Sequence, residues 1–402
     1  MRGAATSSYG AAMTTTPSLY EKVAELTPLI RAHADGAEAN RRMAPEVMAG
    51  LIDAGLFRMW IPSALGGLEM DANESLDVME ALARVDGSTG WVVSNCVFIA
   101  TIPQFLPTPV FEAVLGDPRA VTCGSFVPPG SARATDDGYL VSGTWTFGSA
   151  AQHATSIVVT TALTDDQGPV LGEGGAPVVV VAYLDPADIT LLDAWHTLGL
   201  RATGSTDFTV QDVYVPRDHT FLLGPWTSAE GPFAAPLYRL GIIMDAVRIA
   251  RVGVGIAQGA LDDFVALADG KTPAYTATLT ADRATVQERV ARAAALVQAG
   301  RHTLRATVAD ACAAVQDGPR ITGPSCAPMG LAATFALDSA AKAVDLLHES
   351  AGSTAFRDES PIQRRFRDLQ TLRQNAIASW SRYESLGKLL LGRPSDWPFH
   401  QI

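Results

Sequence analysis

GYLVSGTWTFGSAAQHATSIVV, residues 138–159, is where the chain changes texture. β-Branched and aromatic residues alternate with small ones and are broken by Gly and Asp, which predicts short strands joined by tight turns. The same texture extends from about residue 120 to 222, through PVVVVAYL (177–184) and DFTVQDVYVP (207–216). It predicts a small β-barrel or sandwich. LTDDQGPVLGEGGAP (163–177) interrupts the strands as a Gly-rich surface hairpin loop.

On either side the pattern is helical. LYEKVAELTPLIRAHADGAEANRR (19–42) predicts one long helix, and Gly55 stops the next one, APEVMAGLIDAGLF (44–57). STGWVVSNCVFIATI (88–102) is apolar on nearly every side and so predicts a buried helix. Beyond residue 226, three long periodic segments (239–269, 281–315 and 329–352), with the opening helix as a fourth, predict a bundle. The expected fold is therefore α+β and mostly helical. Its expected parts are a disordered leader (1–16), an N-terminal helical domain (17–118), a central β domain (119–225) and a C-terminal four-helix bundle (226–402).

Composition narrows the function classes. With 402 residues, 48% hydrophobic and 18% charged, the chain can bury a large core. A net charge of -12 speaks against nucleic acid or an anionic membrane as partner and leaves a small molecule. Cys96, Cys123, Cys312 and Cys326 form no metal-binding spacing, and they predict free thiols in a cytoplasmic protein without a metal. No apolar run is long enough to predict a spanning helix.

Near the end, RRFRDLQTLRQNAIASW (364–380) places Phe366, Leu369, Ala376 and Trp380 at helical spacing, which predicts a buried stripe. Arg367, Thr371, Gln374 and Asn375 form an adjoining row with fewer charges than a solvated face carries.

Four strings in order resemble the acyl-CoA dehydrogenase fold family across about residues 19–392: GLFRMWIPSALGGLEM (55–70), the opening stretch, HTLGLRATGSTDFTVQDVYVP (196–216) and HESAGSTAFRDESPIQRRFRD (348–368). DGSTGWVVS (86–94), CGSFVPPGSA (123–132) and QRRFRDLQT (363–371) are similar to the family's reduced-flavin-dependent monooxygenase branch, the oxygenase components of two-component systems. The resemblance implies reduced flavin (FADH2 or FMNH2) delivered by a separate reductase, O2 as co-substrate, a C4a-hydroperoxide as oxidant, and a homotetramer or homodimer. Dehydrogenation of a thioester needs a carboxylate base. Ala376 stands where the family's glutamate would be, although Asp245 or Glu384 could substitute.

The resemblance also implies site residues. Trp91 and Asn95, with Ser94, would wall a flavin pocket, though a core Trp and a backbone-paired Asn fit equally. Phe147 would cover the ring and Ser149 would bond near N5, with Trp145 beside them; strand alternation sends all three to one face. Ser125 would lie near flavin and substrate, or simply form a turn. Arg201, with Thr203, Ser205 or Thr206, would reach the cofactor or shape the substrate entry, and Ser353 and Arg367 would also bind the cofactor. Gln370 and Asn375 stand where the branch often has histidines, as does Ile99, so the row keeps polarity without a group that titrates near neutrality. His153 is expected to be structural. The implied reaction is hydroxylation of an electron-rich, indole-like aromatic. Amine N-hydroxylation, an acyl-CoA dehydrogenase-like reaction and a non-catalytic relative stand as alternatives.

Overall fold

A computed structural model describes residues 17–172, 175–224, 231–397 and 400. The predicted leader and the boundary at residue 225 lie outside the described residues, as does part of the predicted Gly-rich loop.

Five helices come first: α1 (Leu19–Asn40), α2 (Pro45–Asp53), α3 (Ala72–Val85), α4 (Gly87–Ile99) and α5 (Thr108–Leu115). Their starts follow from local chemistry. Ser18 and Glu21 form a capping box on α1, Asp71 accepts from the Asn73 and Glu74 amides of α3, and Asp86 accepts from the Thr89 amide of α4 at 2.7 Å. Every residue of α4 except Trp91 is buried. The helix is therefore a central wall, and Trp91 is its one side chain at an edge.

Eight strands follow: β1 (Thr122–Ala134), β2 (Gly138–Gly148), β3 (Ser156–Asp165), β4 (Gly168–Pro169), β5 (Val179–Leu184), β6 (Thr190–Leu191), β7 (Thr206–Pro216) and β8 (Thr220–Leu222). They form one sheet in the order β6-β7-β2-β1-β3-β5-β8, with β4 beside β3; β1 and β3 run parallel. Alternation gives the sheet two apolar faces. Ile157, Val159, Ala182, Phe208 and Trp145 pack on one another inside the curved sheet, whereas Val158, Val181 and Tyr183 join the helical core.

The chain closes with α6 (Pro236–Arg239), α7 (Met244–Gly270), α8 (Ala284–Val315), α9 (Ala327–Ala351), α10 (Pro361–Leu372) and α11 (Arg382–Leu390). The fourth member of the bundle is α10, which packs on α7 and α9. The opening helix, expected in that place, instead packs on α2, α3 and the turn at 201–203. Its buried face is narrow, with only Val23, Ile30 and Ala37 fully buried, which suits an outer layer. A second correction concerns the buried stripe of 364–380. α10 ends at Leu372, Ala376 is exposed and Trp380 is 69% exposed, so helical spacing past Leu372 no longer describes a face.

No helix among the described residues is long and apolar enough to cross a membrane.

Candidate active site

Residues from α4, the end of β2 and the segment before β7 meet in a continuous line of hydrogen bonds. Trp91 Nε1 donates to Ser149 Oγ at 2.9 Å, Ser149 Oγ lies 2.7 Å from Ser205 Oγ, and Ser205 Oγ lies 2.7 Å from Thr203 Oγ1. Thr203 Oγ1 donates to the Leu200 carbonyl at 2.8 Å, which also accepts from Trp195 Nε1 at 3.1 Å. Ser149, Thr203 and Ser205 are all buried.

The backbone is bent to make this meeting. Phe147, Ala150 and Leu200 have φ of 65°, 61° and 52°, left-handed values that cost a non-glycine residue roughly 1–2 kcal/mol. At Phe147 the β2–β7 register shifts, and the strand alternation expected to align Trp145, Phe147 and Ser149 fails. Trp145 points into the sheet interior, fully buried, with Nε1 donating to the Thr160 carbonyl at 2.8 Å and its ring stacked on Phe208. Its full burial in the sheet interior makes it a core residue, contrary to the expected place beside a flavin. Phe147 turns outward, 59% exposed, edge-on to Trp195 with ring centroids 6.3 Å apart. Phe147 and Trp195 make an apolar shelf next to the hydroxyl line, which Trp195 meets at the Leu200 carbonyl.

Behind Trp91 lies a charged cluster centred on Arg248, a residue absent from the predicted set. Arg248 of α7 is buried, pairs with Asp245, donates to Asn95 Oδ1 at 2.9 Å, and holds its guanidinium 5.2 Å from the Trp91 ring and 5.3 Å from the Phe98 ring. Burial lowers the Arg248 pKa and raises that of Asp245, while their mutual attraction opposes both shifts. Asn95 thus faces Arg248 rather than a cap. The signal in the sequence was an Asp and an Arg three residues apart in an otherwise apolar helix segment.

The row on α10 has a different occupation. Arg367 Nη1 donates to the Leu198 carbonyl at 2.8 Å and its Nη2 pairs with Glu38 at 2.5 Å; Asp368 Oδ1 accepts from the Leu200 amide at 2.6 Å; Thr371 Oγ1 accepts from the Gly199 amide at 2.9 Å. Three successive residues of the segment carrying the hydroxyl line are therefore held by one helix. A Cβ on Gly199 would lie 2.2 Å from the Arg367 carbonyl, so only glycine allows this approach. Burial first, and the nearby Asp86 second, raise the Asp368 pKa to about 7. Arg367, predicted to bind cofactor, has its donors engaged in this strap.

Gln370 is half-buried and donates to Asp345 Oδ1 at 2.8 Å, on the edge of an open groove of about 710 Å³ that also touches Leu198 and Phe366. Asn375 lies beyond the helix, where its Oδ1 accepts from the Ile377 amide at 2.9 Å. Ser125 Oγ donates to the Thr146 carbonyl at 2.5 Å across a break in the β1–β3 register, so it holds β2 at the point where Phe147 turns out. Arg201 is half-buried and its Nε has no hydrogen-bond partner among the described residues. Ser353 is exposed in the turn after α9, near Lys271, which donates to the Ala351 carbonyl and Thr354 Oγ1. His153 Nε2 lies 3.2 Å from the Met43 carbonyl, and burial lowers its pKa. Ile99 packs in the core beside Gly124.

The donor set suits a flat, partly apolar ring with polar edges. The shelf offers aromatic contact, and Ser149, already bonded to Trp91 and Ser205, keeps one hydrogen-bonding position.

Comparison with known proteins adds the following. A model for the acyl-CoA dehydrogenase N-terminal domain matches residues 23–105, and one for the acyl-CoA dehydrogenase C-terminal domain matches residues 247–380. The oxygenase subunit HsaA of a flavin-dependent monooxygenase from Mycobacterium tuberculosis is 31% identical over 387 residues, covering 94% of this chain and 96% of that protein. Indole-3-acetate monooxygenase from Acinetobacter baumannii is 28% identical over 86% of this chain and 87% of its own. Among solved structures, XiaF from Streptomyces sp. in complex with FADH2 and glycerol superposes with a TM-score of 0.87 at 25% identity, covering 94% of this chain and 96% of that one.

Proposed function

The chain belongs to the acyl-CoA dehydrogenase fold family and, within it, to the flavin-dependent monooxygenases; on that premise we propose that it is the oxygenase component of a two-component system. In this reading a separate reductase supplies FADH2 or FMNH2, and the substrate is an electron-rich, indole-like aromatic. When bound, the flavin supplies the two electrons with which O2 is activated. The chain's own residues do the rest. Phe147 and Trp195 provide the apolar surface for the ring, Trp91 and Ser149 the polar edge, and the strap from α10 holds residues 198–200, where the hydroxyl line ends.

The observation that carries this reading is the outward turn of Phe147 beside a buried hydroxyl line, a strained arrangement that packing alone does not call for. The indole-like substrate rests on the relative named for indole-3-acetate. Ser125 and Asn375 are the proposed contacts to the reacting groups and Arg201 and Ser353 those to the rest of the flavin, whereas Gln370, whose amide is bonded to Asp345, belongs to the scaffold. A homotetramer, a cytoplasmic location and independence of metal belong to the same proposal, the location drawing on four free cysteines.

Dehydrogenation is the weaker reading. Both substitute bases are already engaged, Asp245 with buried Arg248 and Glu384 with Lys388 at 2.9 Å. The decisive experiment supplies reduced flavin from a separate reductase under ¹⁸O2 with a panel of indoles, phenols and amines. One ¹⁸O atom in the product is expected. Reduction of a tightly held oxidised flavin by substrate alone, without O2 incorporation, would replace the monooxygenase reading by a dehydrogenase.

A further inference from the structure

We infer that Thr203 and Ser205 are specificity-determining residues that leave Ser149 only an acceptor toward a bound ring, so that the site admits reduced flavin and disfavours oxidised flavin. This inference rests on the reduced-flavin reading above and deepens it.

A serine or threonine hydroxyl has one proton to give and two lone pairs to accept with. The chain fixes which is which from its far end. The Leu200 carbonyl can only accept, so Thr203 gives its proton there, at 2.8 Å. Thr203 then has none for Ser205 and must accept, so Ser205 donates across the 2.7 Å contact. Ser205 in turn has none left for Ser149, and Ser149 donates to Ser205 across its own 2.7 Å contact. At the near end the Trp91 indole N–H, which can only donate, occupies one lone pair of Ser149 at 2.9 Å. Every proton runs one way, from Trp91 to Leu200.

Burial protects this order. Ser149, Ser205 and Thr203 are 2%, 3% and 1% exposed, too little for water to offer them alternative partners. What Ser149 retains is a single lone pair. On two-electron reduction the isoalloxazine nitrogens N5 and, in the neutral form, N1 change from acceptors to N–H donors. A ring nitrogen presented to Ser149 is therefore matched only after reduction; before it, two lone pairs would face each other. The selectivity is set by Thr203, whose hydroxyl bonds to Leu200 and Ser205 and not to Ser149.

The test is the ratio of dissociation constants for oxidised and reduced flavin, measured on the full chain for both FMN and FAD. Fluorescence titration serves the oxidised form and anaerobic titration the reduced form. Wild type is expected to bind the reduced form tighter. Thr203→Val removes the hydroxyl with little change of shape, frees the chain to reverse, and should collapse the ratio about tenfold, the worth of roughly one hydrogen bond. Thr203→Ser should restore it. Ser205→Ala, which lets Ser149 donate to the ring, should act like Thr203→Val and provides the second variant if that one folds poorly. A wild-type ratio near one, a Thr203→Val ratio within twofold of wild type, or a Thr203→Ser protein as unselective as Thr203→Val would each overturn the inference while leaving the monooxygenase reading intact. A wild type that binds neither redox state would overturn both.

Discussion

Two polar rows meet at the segment 198–205, and they use their hydrogen bonds for opposite purposes. The row of Trp91, Ser149, Ser205 and Thr203 commits every one of its protons internally and leaves a lone pair of Ser149 beside an apolar shelf. The row on α10, through Arg367, Asp368 and Thr371, turns its groups onto backbone atoms of Leu198, Gly199 and Leu200. In sequence both look like polar groups awaiting a ligand. In space one has a vacancy for a ligand edge and the other holds the first in place. What distinguishes a site from a scaffold here is the capacity left over after the internal bonds are counted.

The largest expected effect falls on the strap. Gly199→Ala would put a methyl 2.2–2.4 Å from backbone atoms of Arg367 and Asp368, and the segment must part from α10. A loss of about 3 kcal/mol or more in stability is expected, together with weakened flavin binding. Thermal unfolding within about 0.5 kcal/mol of wild type would show that α10 does not hold the segment.

A pH-dependent effect should follow from Asp368, whose folded pKa of about 7 lies above that of an unfolded aspartate, about 4. Over that window the folded chain keeps a proton that the unfolded chain has released. The contribution of Asp368 is therefore fully present below about pH 4 and lost as pH rises through about 7. Asp368→Asn keeps the acceptor for the Leu200 amide and cannot ionise. Relative to wild type it should flatten the fall in melting temperature between pH 5 and 8, by on the order of 1–3 kcal/mol. Parallel curves for the two proteins would mean that Asp368 ionises as readily in the folded chain as in the unfolded one.

Removing the near end of the hydroxyl line should do less. Trp91→Phe keeps a ring over Arg248 but loses the N–H to Ser149, and about 1 kcal/mol of stability is expected to go with it. Denaturant unfolding measures this loss.

The smallest effect sharpens the contrast. Gln370→Ala removes a half-buried bond to Asp345, and a change under about 1 kcal/mol is expected, with turnover within about twofold once flavin occupancy is matched. A much larger loss of turnover would move Gln370 from the scaffold to the reacting groups.

Much of the architecture was legible before any coordinates. The switch from period 3.6 to period 2 near residue 120 and back after 222 marks the helical and β blocks. The unbroken apolarity of STGWVVSNCVFIATI foretold a central helix, and α4 is buried everywhere but Trp91. The order of four family strings pointed to the fold that the comparisons establish. Alternation failed at Phe147, because one left-handed residue reverses the side-chain direction that a period-2 rule assumes. Helical spacing failed after Leu372, where nothing in the local pattern announces the end of α10. Thr203 and Ser205 stood in the sequence as groups able to reach a cofactor, but their bonding order did not. Arg248 and Trp195 went unremarked although Asp245 stands one turn before Arg248, because the rings they meet, Trp91 and Phe147, lie on other elements.

By itself, then, the sequence determined which segments are helix or strand, which faces are apolar and to which family the chain belongs, since each depends on residues near one another in the chain. The tertiary structure decided which polar groups are consumed and which are free. Trp91 and Ser149 are 58 positions apart, and Gly199 and Thr371 are 172 apart. A hydrogen bond is directional and satisfies each donor once, so its assignment exists only when all its competitors have been brought together in space.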